Sequence, residues 1–372
     1  MTKKIILAFG TRPEAIKMAP LVLKLKANKK FNIKVVLTAQ HRKMLDQVMK
    51  LFEIGADYDL DIMTPSQTLY HTTTRVLNGV GEILRKENPD LLLVHGDTTT
   101  TFAASLAAFY ERIPVGHVES GLRSFDKQNP FPEEVNRVLT DAIANLYFAP
   151  TVLAKQNILQ ENIDPQKVFI TGNTVTDALL HVAGKNYDIN LPDNFILATV
   201  HRRENFGEPL RNICAAFNEI TEKTNLKIIL PVHPNPNVKN IIYKLLGSNK
   251  NIILSEPFEY LELVQIMKKT KMVITDSGGL QEEAPSLGKP VLVMRKTTER
   301  PEAIKYGTAK LVGTTKNKIV DSVYELWSDN IKYSEMANAI NPYGDGKACE
   351  RISQVIEYFF KIEKKYPEEF SI

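Results

Sequence analysis

The chain is poor in features that would have committed it to several common classes. It has two cysteines in 372 residues, Cys214 and Cys349. They lie far apart with no metal-ligand spacing around them, so they read as buried thiols rather than a disulfide framework or a zinc site. No apolar run approaches the roughly 20 residues that span a bilayer. The run Ile5 to Phe9, behind Met1-Thr2-Lys3-Lys4, is too short for a signal-peptide core. The formal net charge of +4 is spread over well-mixed signs with no basic run, which gives nucleic acid nothing to bind. Gly-x-Gly-x-x-Gly and Gly-x-x-x-x-Gly-Lys are missing, which disfavours dinucleotide redox and P-loop chemistry. So are Gly-x-Ser-x-Gly and His-Glu-x-x-His, which leaves acyl transfer and zinc hydrolysis without support. No repeat of fixed period and no low-complexity segment occurs. These absences predict a soluble cytoplasmic protein that uses no cofactor and no metal and binds neither membrane nor nucleic acid.

What is present is an alternation of short apolar runs and helical stretches. Ile5 to Phe9, Asn32 to Thr38, Leu91 to Val94, Pro114 to Val118, Tyr147 to Ala149 and Val168 to Ile170 read as strands covered on both faces. The composition turns polar between about Gly172 and Asp193. The pattern then restarts with Phe195 to Val200, Lys227 to Leu230, Asn251 to Leu254, Met272 to Thr275 and Val291 to Met294. Such alternation predicts an α/β protein of two Rossmann-like, doubly wound parallel-sheet domains. We expect an N-terminal domain over residues 1–172 and a nucleotide-binding C-terminal domain over 173–352, facing each other across a cleft. An amphipathic stretch runs from Ala348 to Lys365, and a C-terminal helix over about 353–372 is expected to pack back on the first domain. Right-handed crossovers put the polar strand-to-helix loops at the carboxyl edges of the sheets, where open α/β sheets bind ligands.

The stretch Met272 to Glu283 is the most telling. Ser277-Gly278-Gly279 between a strand and a helix lets the backbone approach a ligand, and the first helical turn favours phosphate. An ordinary turn remains the alternative. Glu282 and Glu283 would repel phosphate, so one of them is better suited to sugar hydroxyls. With Arg295 and Arg300 in the following loop, the combination points to a nucleotide diphosphate. The first domain offers Arg12, Lys17, Asp97, Glu119, Arg123, Glu133, Glu134 and Arg137, and the second adds His201, Arg202, Arg203 and His233. Each has an ordinary reading beside the functional one. Arg12 and Lys17 could form a solvated helix face. Asp97 could cap the helix that follows it. Glu119 could pair with Arg123, Glu133 and Glu134 could simply complement a helix dipole, and His201 could be a satisfied loop histidine.

Several long motifs decide between these readings. Gly10-Thr11-Arg12-Pro13-Glu14-Ala15-Ile16-Lys17, His95-Gly96-Asp97-Thr98, Val118-Glu119-Ser120-Gly121-Leu122-Arg123 and Pro132-Glu133-Glu134-Val135-Asn136-Arg137 closely resemble the non-hydrolysing UDP-N-acetylglucosamine 2-epimerases of bacteria. So do His201-Arg202-Arg203-Glu204, Val232-His233-Pro234-Asn235-Pro236, Thr275 to Gly288, Thr298 to Ala303 and Asn341 to Gly346. The resemblance covers nearly the whole chain in the same order. It implies a glycosyltransferase-B-like architecture and interconversion of UDP-N-acetylglucosamine and UDP-N-acetylmannosamine by elimination of UDP to 2-acetamidoglucal and re-addition. It implies substrate and UDP binding by Arg12, Lys17, Asp97, Glu119, His201, Phe258, Ser277, Gly278, Gly279, Glu283 and Arg300, and chemistry by Lys17, Asp97, Glu119, Glu133 and His201. Gln40 and His41 resemble a substrate-activation segment, which Gln67, Arg203 and His233 would join, with Ser66 where arginine is often found. A homodimer supplying N-acetylmannosamine units for cell-surface polysaccharide also follows from the resemblance. A hydrolysing epimerase, a glycosyltransferase of the same architecture and a silent UDP-sugar sensor are the competing readings.

Overall fold

The structure, a computed structural model, describes residues 2–39, 42–64 and 67–372. Two compact units emerge: Met1–Ala178 with Tyr343–Ile372, and Leu179–Pro342.

The first unit is built on β1 (Lys3–Phe9), β2 (Phe31–Leu37), β3 (Tyr58–Asp59), β4 (Leu91–His95), β5 (Val115–Val118), β6 (Leu146–Ala149) and β7 (Val168–Ile170). They form one sheet in the order β3-β2-β1-β4-β5-β6-β7, and every pairing is parallel. Helices cover both faces, which is why Ile5 to Phe9 and Leu91 to Val94 are fully buried despite having no polar alternation. Strand order reverses between β1 and β4, and the chain leaves each of these strands into a helix: Arg12–Ala27 after β1 and Thr99–Tyr110 after β4. Thr11 caps the first helix in a capping box with Glu14, and Pro13 occupies its first turn. Glu14 does more than cap. Its Oε2 accepts from the backbone of Gly10 at 3.1 Å and Thr11 at 2.7 Å, and its Oε1 accepts from the Thr98 hydroxyl at 2.7 Å. One buried carboxylate therefore ties together the two loops at the switch point. Burial pushes that carboxyl upward against the hydrogen bonds from Thr98, Thr11 and Gly10.

The last helix, Ala348–Phe359, belongs to this unit. Asp177 accepts from the backbone N–H groups of Ala348 and Cys349 at its start, at 3.1 and 2.9 Å. Further along, Glu350 pairs with Lys24, and Glu357 accepts from Asn28 at 2.7 Å.

The second unit carries β8 (Phe195–Thr199), β9 (Lys227–Pro231), β10 (Ile252–Ser255), β11 (Val273–Thr275), β12 (Val291–Val293) and β13 (Ala309–Leu311). Their order is β10-β9-β8-β11-β12-β13, again all parallel. The reversal lies between β8 and β11, the strands that lead to His201 and to the Ser277 turn. Phe217, Ile213 and Ile220 of the helix Glu208–Lys223 fill one face of this sheet, and Trp327 packs against the same cluster.

Two strands were not expected from sequence, β3 and β13. Both are edge strands, two and three residues long, and neither is the buried apolar run that marks a central strand. Among the described residues no helix is long and apolar enough to cross a membrane. Both cysteines are buried and unpaired with each other.

Candidate functional site

In the first unit the candidate residues collect at the ends of β4 and β5. The Val118–Glu119 step turns the backbone sharply, and Glu119 takes φ +64°, a left-handed conformation that a side chain rarely adopts. Phe148 holds it there, its carbonyl accepting from the N–H groups of Glu119 and Ser120 at 3.1 and 3.2 Å. Two residues on, Gly121 has φ +84°, and a Cβ there would lie 2.2 Å from the Ala154 carbonyl oxygen, so only glycine fits. The turn aims the Glu119 carboxylate at Lys17 of the helix Arg12–Ala27, with which it forms a mostly buried ion pair. Asn173, from the loop after β7, donates to the same carboxylate at 2.7 Å. The ordinary pairing with Arg123 does not form. Arg123 instead donates to Asp141 at 2.6 Å and to both oxygens of Glu161 at 2.7 and 2.9 Å.

Asp97 follows Gly96 at the end of β4. It does not cap the next helix; Thr98 does, accepting from Thr101 N–H at 3.1 Å. The Asp97 carboxylate is thereby left to pair with Arg137 of the helix Glu133–Ile143, and Asn136 donates to its backbone carbonyl at 3.0 Å. Burial pushes the Asp97 carboxyl above the usual aspartate range. Arg137 opposes that shift and the negative charge of Glu119 adds to it. Glu133 opens the same helix and is half-buried. Its neighbour Glu134 is spent on structure, accepting from Ser124 and Phe125 N–H at 2.9 Å each. Arg12 is the first residue of its helix and half-buried.

Beneath these loops lies a network that the sequence did not announce. His117 Nδ1 is 2.6 Å from Asp141 Oδ1, and its Nε2 is 2.7 Å from the Gly96 carbonyl. Gly121 N–H donates to Asp141 at 3.3 Å. Burial raises the Asp141 carboxyl, but His117 and Arg123 outweigh it and hold the group below its ordinary range. The loop bearing Asp97 and the loop bearing Glu119 are thus anchored to the same buried pair.

In the second unit Asp276 organises the edge. It is fully buried and accepts from His201 N–H at 3.0 Å, Arg202 N–H at 2.9 Å and Asn205 Nδ2 at 3.0 Å, while His201 Nδ1 lies 3.0 Å from Oδ1. Burial pushes the Asp276 carboxyl up, and the His201 side chain and these N–H donors more than reverse it. His201 is thereby held in one orientation and its ring stacks on that of His233, with centroids 6.1 Å apart. Beyond Asp276, Ser277 precedes the helix Gly278–Glu283 and makes no side-chain cap bond. A Cβ on Gly278 would meet only Arg202 Nη2 at 3.7 Å and Glu299 Oε2 at 3.9 Å, and one on Gly279 only Glu283 Oε2 and Ser277 Oγ at 3.9 Å each. Neither glycine is required by the chain's own packing, and both leave the backbone of the turn uncovered. Glu283 is buried and accepts from Tyr260 OH at 2.8 Å. Arg300 is held by Glu282 through Nε, and its Nη1 donates to the Glu299 carbonyl at 3.2 Å. Phe258 stands half-buried in the loop between β10 and the helix Tyr260–Lys269.

The proposed activation segment divides differently. Gln40, His41 and Ser66 lie outside the described residues. Gln67 accepts from Thr64 N–H at 3.3 Å just before the helix Leu69–Glu87. Arg203 is exposed at the start of a 3-10 turn, and His233 is exposed with Nδ1 accepting from Asn235 N–H at 3.2 Å. The structure therefore brings together Lys17, Asp97 and Glu119 in one unit, and His201, Ser277, Gly278, Gly279 and Glu283 around one turn in the other. Asn173 and Asp276 were missed as partners, and so was His95. Among the described residues no group of three or more histidines, cysteines, aspartates or glutamates is placed to hold a metal ion.

Comparison with known proteins shows a family and a fold. A family model described as UDP-N-acetylglucosamine 2-epimerase matches residues 23–357. The UDP-N-acetylglucosamine 2-epimerase of Escherichia coli (strain K12) is 53% identical over 369 residues, covering 95% of this chain and 98% of that one. A UDP-GlcNAc 2-epimerase from Neisseria meningitidis, crystallised with UDP-GlcNAc, is 49% identical over 95% of this chain and 99% of its own, with a TM-score of 0.85. The S. aureus MnaA–UDP co-structure is 46% identical, covers all of both chains and has a TM-score of 0.89. The two all-parallel α/β sheets match these structures and the glycosyltransferase-B-like class expected from sequence. On sequence and on fold alike, the chain belongs to the UDP-N-acetylglucosamine 2-epimerase family.

Proposed function

We propose that this protein interconverts UDP-N-acetylglucosamine and UDP-N-acetylmannosamine at C2 without releasing free sugar. The observation that carries the reading is the unequal carboxylate pair at the ends of β4 and β5. Asp97 is pushed toward its protonated form, and Glu119 is paired with the Lys17 cation. Two acids whose surroundings differ in this way suit opposite halves of a proton exchange.

The chemistry demands such a pair. No carbonyl acidifies the C2 proton of the substrate, so direct removal is prohibitively slow. If the C1–O bond to UDP breaks first, its electrons leave with the diphosphate and positive charge develops at C1. A carboxylate then takes the C2 proton, and the C–H electrons form the C1=C2 bond of 2-acetamidoglucal. In the second half a proton adds to C2 from the opposite face and UDP returns to C1. We assign the carboxylate Glu119 as the base and Asp97 as the acid in one direction, with Glu133 near the sugar. UDP is held by Arg12, His201, Ser277, Gly278, Gly279, Glu283 and Arg300, with Phe258 beside the uracil. The glycine turn and the arginines stabilise the leaving diphosphate. Glu283, oriented by Tyr260, accepts from the ribose hydroxyls.

We further propose a cytoplasmic homodimer whose product feeds cell-surface polysaccharide. Its substrate would act as its own activator through Gln40, His41, Gln67, Arg203 and His233. The activity is tested by incubating the protein with UDP-N-acetylglucosamine alone and following the anomeric protons by NMR. The reading expects the UDP-linked manno epimer; free N-acetylmannosamine with UDP would mean hydrolysis, and no change would sink the proposal.

A further inference from the structure

His95 ends β4, two residues before Asp97, and is 3% exposed. Neither of its ring nitrogens meets a hydrogen-bond partner among the described residues. A buried polar group left unpaired costs stability, so one that persists calls for a reason. The reason lies 3.9 Å away: Nε2 of His95 faces Oε2 of Glu119, just outside hydrogen-bonding range. That same oxygen accepts from Lys17 and from Asn173. The titratable groups that face the imidazole are Lys17 from the helix Arg12–Ala27 and Glu119 and His117 from β5 and its end, while Asp97, two residues on, is paired with Arg137. Burial first, then Lys17 and His117, hold the ring uncharged, with its pKa lowered to about 3 although Glu119 works the other way. A neutral imidazole keeps one N–H donor and adds no charge.

We propose that His95 is a positioning residue for Glu119, donating its Nε2–H to that carboxylate when Lys17 turns toward the substrate and so keeping it aimed without pairing its charge. This rests on Glu119 carrying protons in the epimerisation. A small rotation of the carboxylate closes the 3.9 Å gap to a normal hydrogen bond. His95 does not touch the sugar in this scheme; it acts through Glu119.

The test uses the full-length enzyme with His95→Phe and His95→Gln. The Phe variant should lower kcat roughly tenfold to a hundredfold, the loss expected for one hydrogen bond to a charged group, while KM stays within about twofold. The acid limb of the kcat profile should move to higher pH, because a carboxylate that loses a donor binds its proton more tightly. His95→Gln, which returns an N–H, should recover most of the rate and the limb. A His95→Phe enzyme with wild-type kcat and an unmoved limb overturns the proposal, as does a Gln variant as slow as the Phe variant at an unchanged melting temperature. One arm needs no turnover and separates this idea from the proposed activity. In histidine-labelled enzyme, nitrogen-15 NMR should place the His95 proton on Nε2, and Lys17→Met should shift that N–H downfield as it takes the carboxylate. A proton on Nδ1, or a resonance that ignores Lys17→Met, overturns the proposal whether or not the enzyme turns over.

Discussion

Asp276→Asn is the most revealing single change in the second unit. The native carboxylate accepts from two backbone N–H groups and from Asn205, with His201 Nδ1 also 3.0 Å away. An asparagine can keep one oxygen toward the N–H groups of His201 and Arg202 and toward Asn205, but its amide nitrogen then replaces the oxygen that shares the His201 N–H at 3.1 Å. The three bonds that remain, each worth about 1.5–3 kcal/mol to a carboxylate, become neutral bonds of about half the strength. Against this stands the smaller desolvation cost of a neutral amide, which leaves a net loss of about 2–4 kcal/mol. The readout is built into the chain. Its one tryptophan, Trp327, packs on the core of this unit, so its fluorescence reports unfolding here rather than in the first unit. At a urea slope of about 2 kcal/mol/M, the midpoint of that signal should fall by about 1–2 M. The pH dependence has a definite sign. The folded Asp276 carboxyl lies below its ordinary value of 3.8, so its contribution is complete above that value and disappears as pH falls through the folded pKa. The gap between wild type and variant should therefore be full at neutral pH and narrow in acid. An unchanged midpoint at neutral pH, or a gap that widens in acid, would refute the reasoning.

Other outcomes follow from the same geometry. Arg300→Ala should weaken UDP binding by about 1.5–3 kcal/mol in calorimetry, since the guanidinium that Glu282 orients is lost to the diphosphate; unchanged affinity removes Arg300 from the site. Gly279→Ala meets no clash and no positive φ, so stability should hold or rise by up to about 1 kcal/mol while UDP affinity falls. A fall in melting temperature with UDP binding intact would show that glycine serves the fold instead. With UDP-N-acetylmannosamine alone turnover should start slowly and quicken with a trace of the gluco substrate, and His41→Ala should blunt that response. A full initial rate from the manno substrate argues against activation.

The sheets were legible because their central strands are unbroken apolar runs, such as Ile5 to Phe9, which are fully buried in the fold. The edge strands Tyr58–Asp59 and Ala309–Leu311 were not, since a two- or three-residue edge needs neither length nor apolar continuity. Loops at strand ends were predictable from alternation alone, which is why Asp97, Glu119, His201 and Ser277 could be placed at the carboxyl edges. Their partners were not predictable. Glu119 finds Lys17 102 residues earlier and Asn173 54 residues later, while Arg123, its neighbour in sequence, turns to Asp141 and Glu161. A local reading pairs charges that are close in sequence; parallel crossovers pair those that end neighbouring strands. Asp276 and His95 escaped for a related reason. A buried aspartate at the start of a turn and a buried histidine at the end of a strand look like ordinary structure until their partners, or the lack of them, are seen in three dimensions.

The elimination of UDP is the central claim, and an isotope experiment tests it most directly. UDP-N-acetylglucosamine labelled with oxygen-18 in the C1–O bridge is turned over in D2O, and both sugars are recovered. If the carboxylates at Asp97 and Glu119 exchange the C2 proton while UDP leaves and returns, the product carries deuterium at C2. The label spreads from the bridge to the non-bridging oxygens of the terminal phosphate. Asp97→Asn should then release 2-acetamidoglucal and UDP, because the return half fails more often than departure. A route through a keto sugar would also exchange the C2 proton but leave the bridge intact. Epimer formed with the label still wholly in the bridge, and no glucal from the variant, would contradict the account.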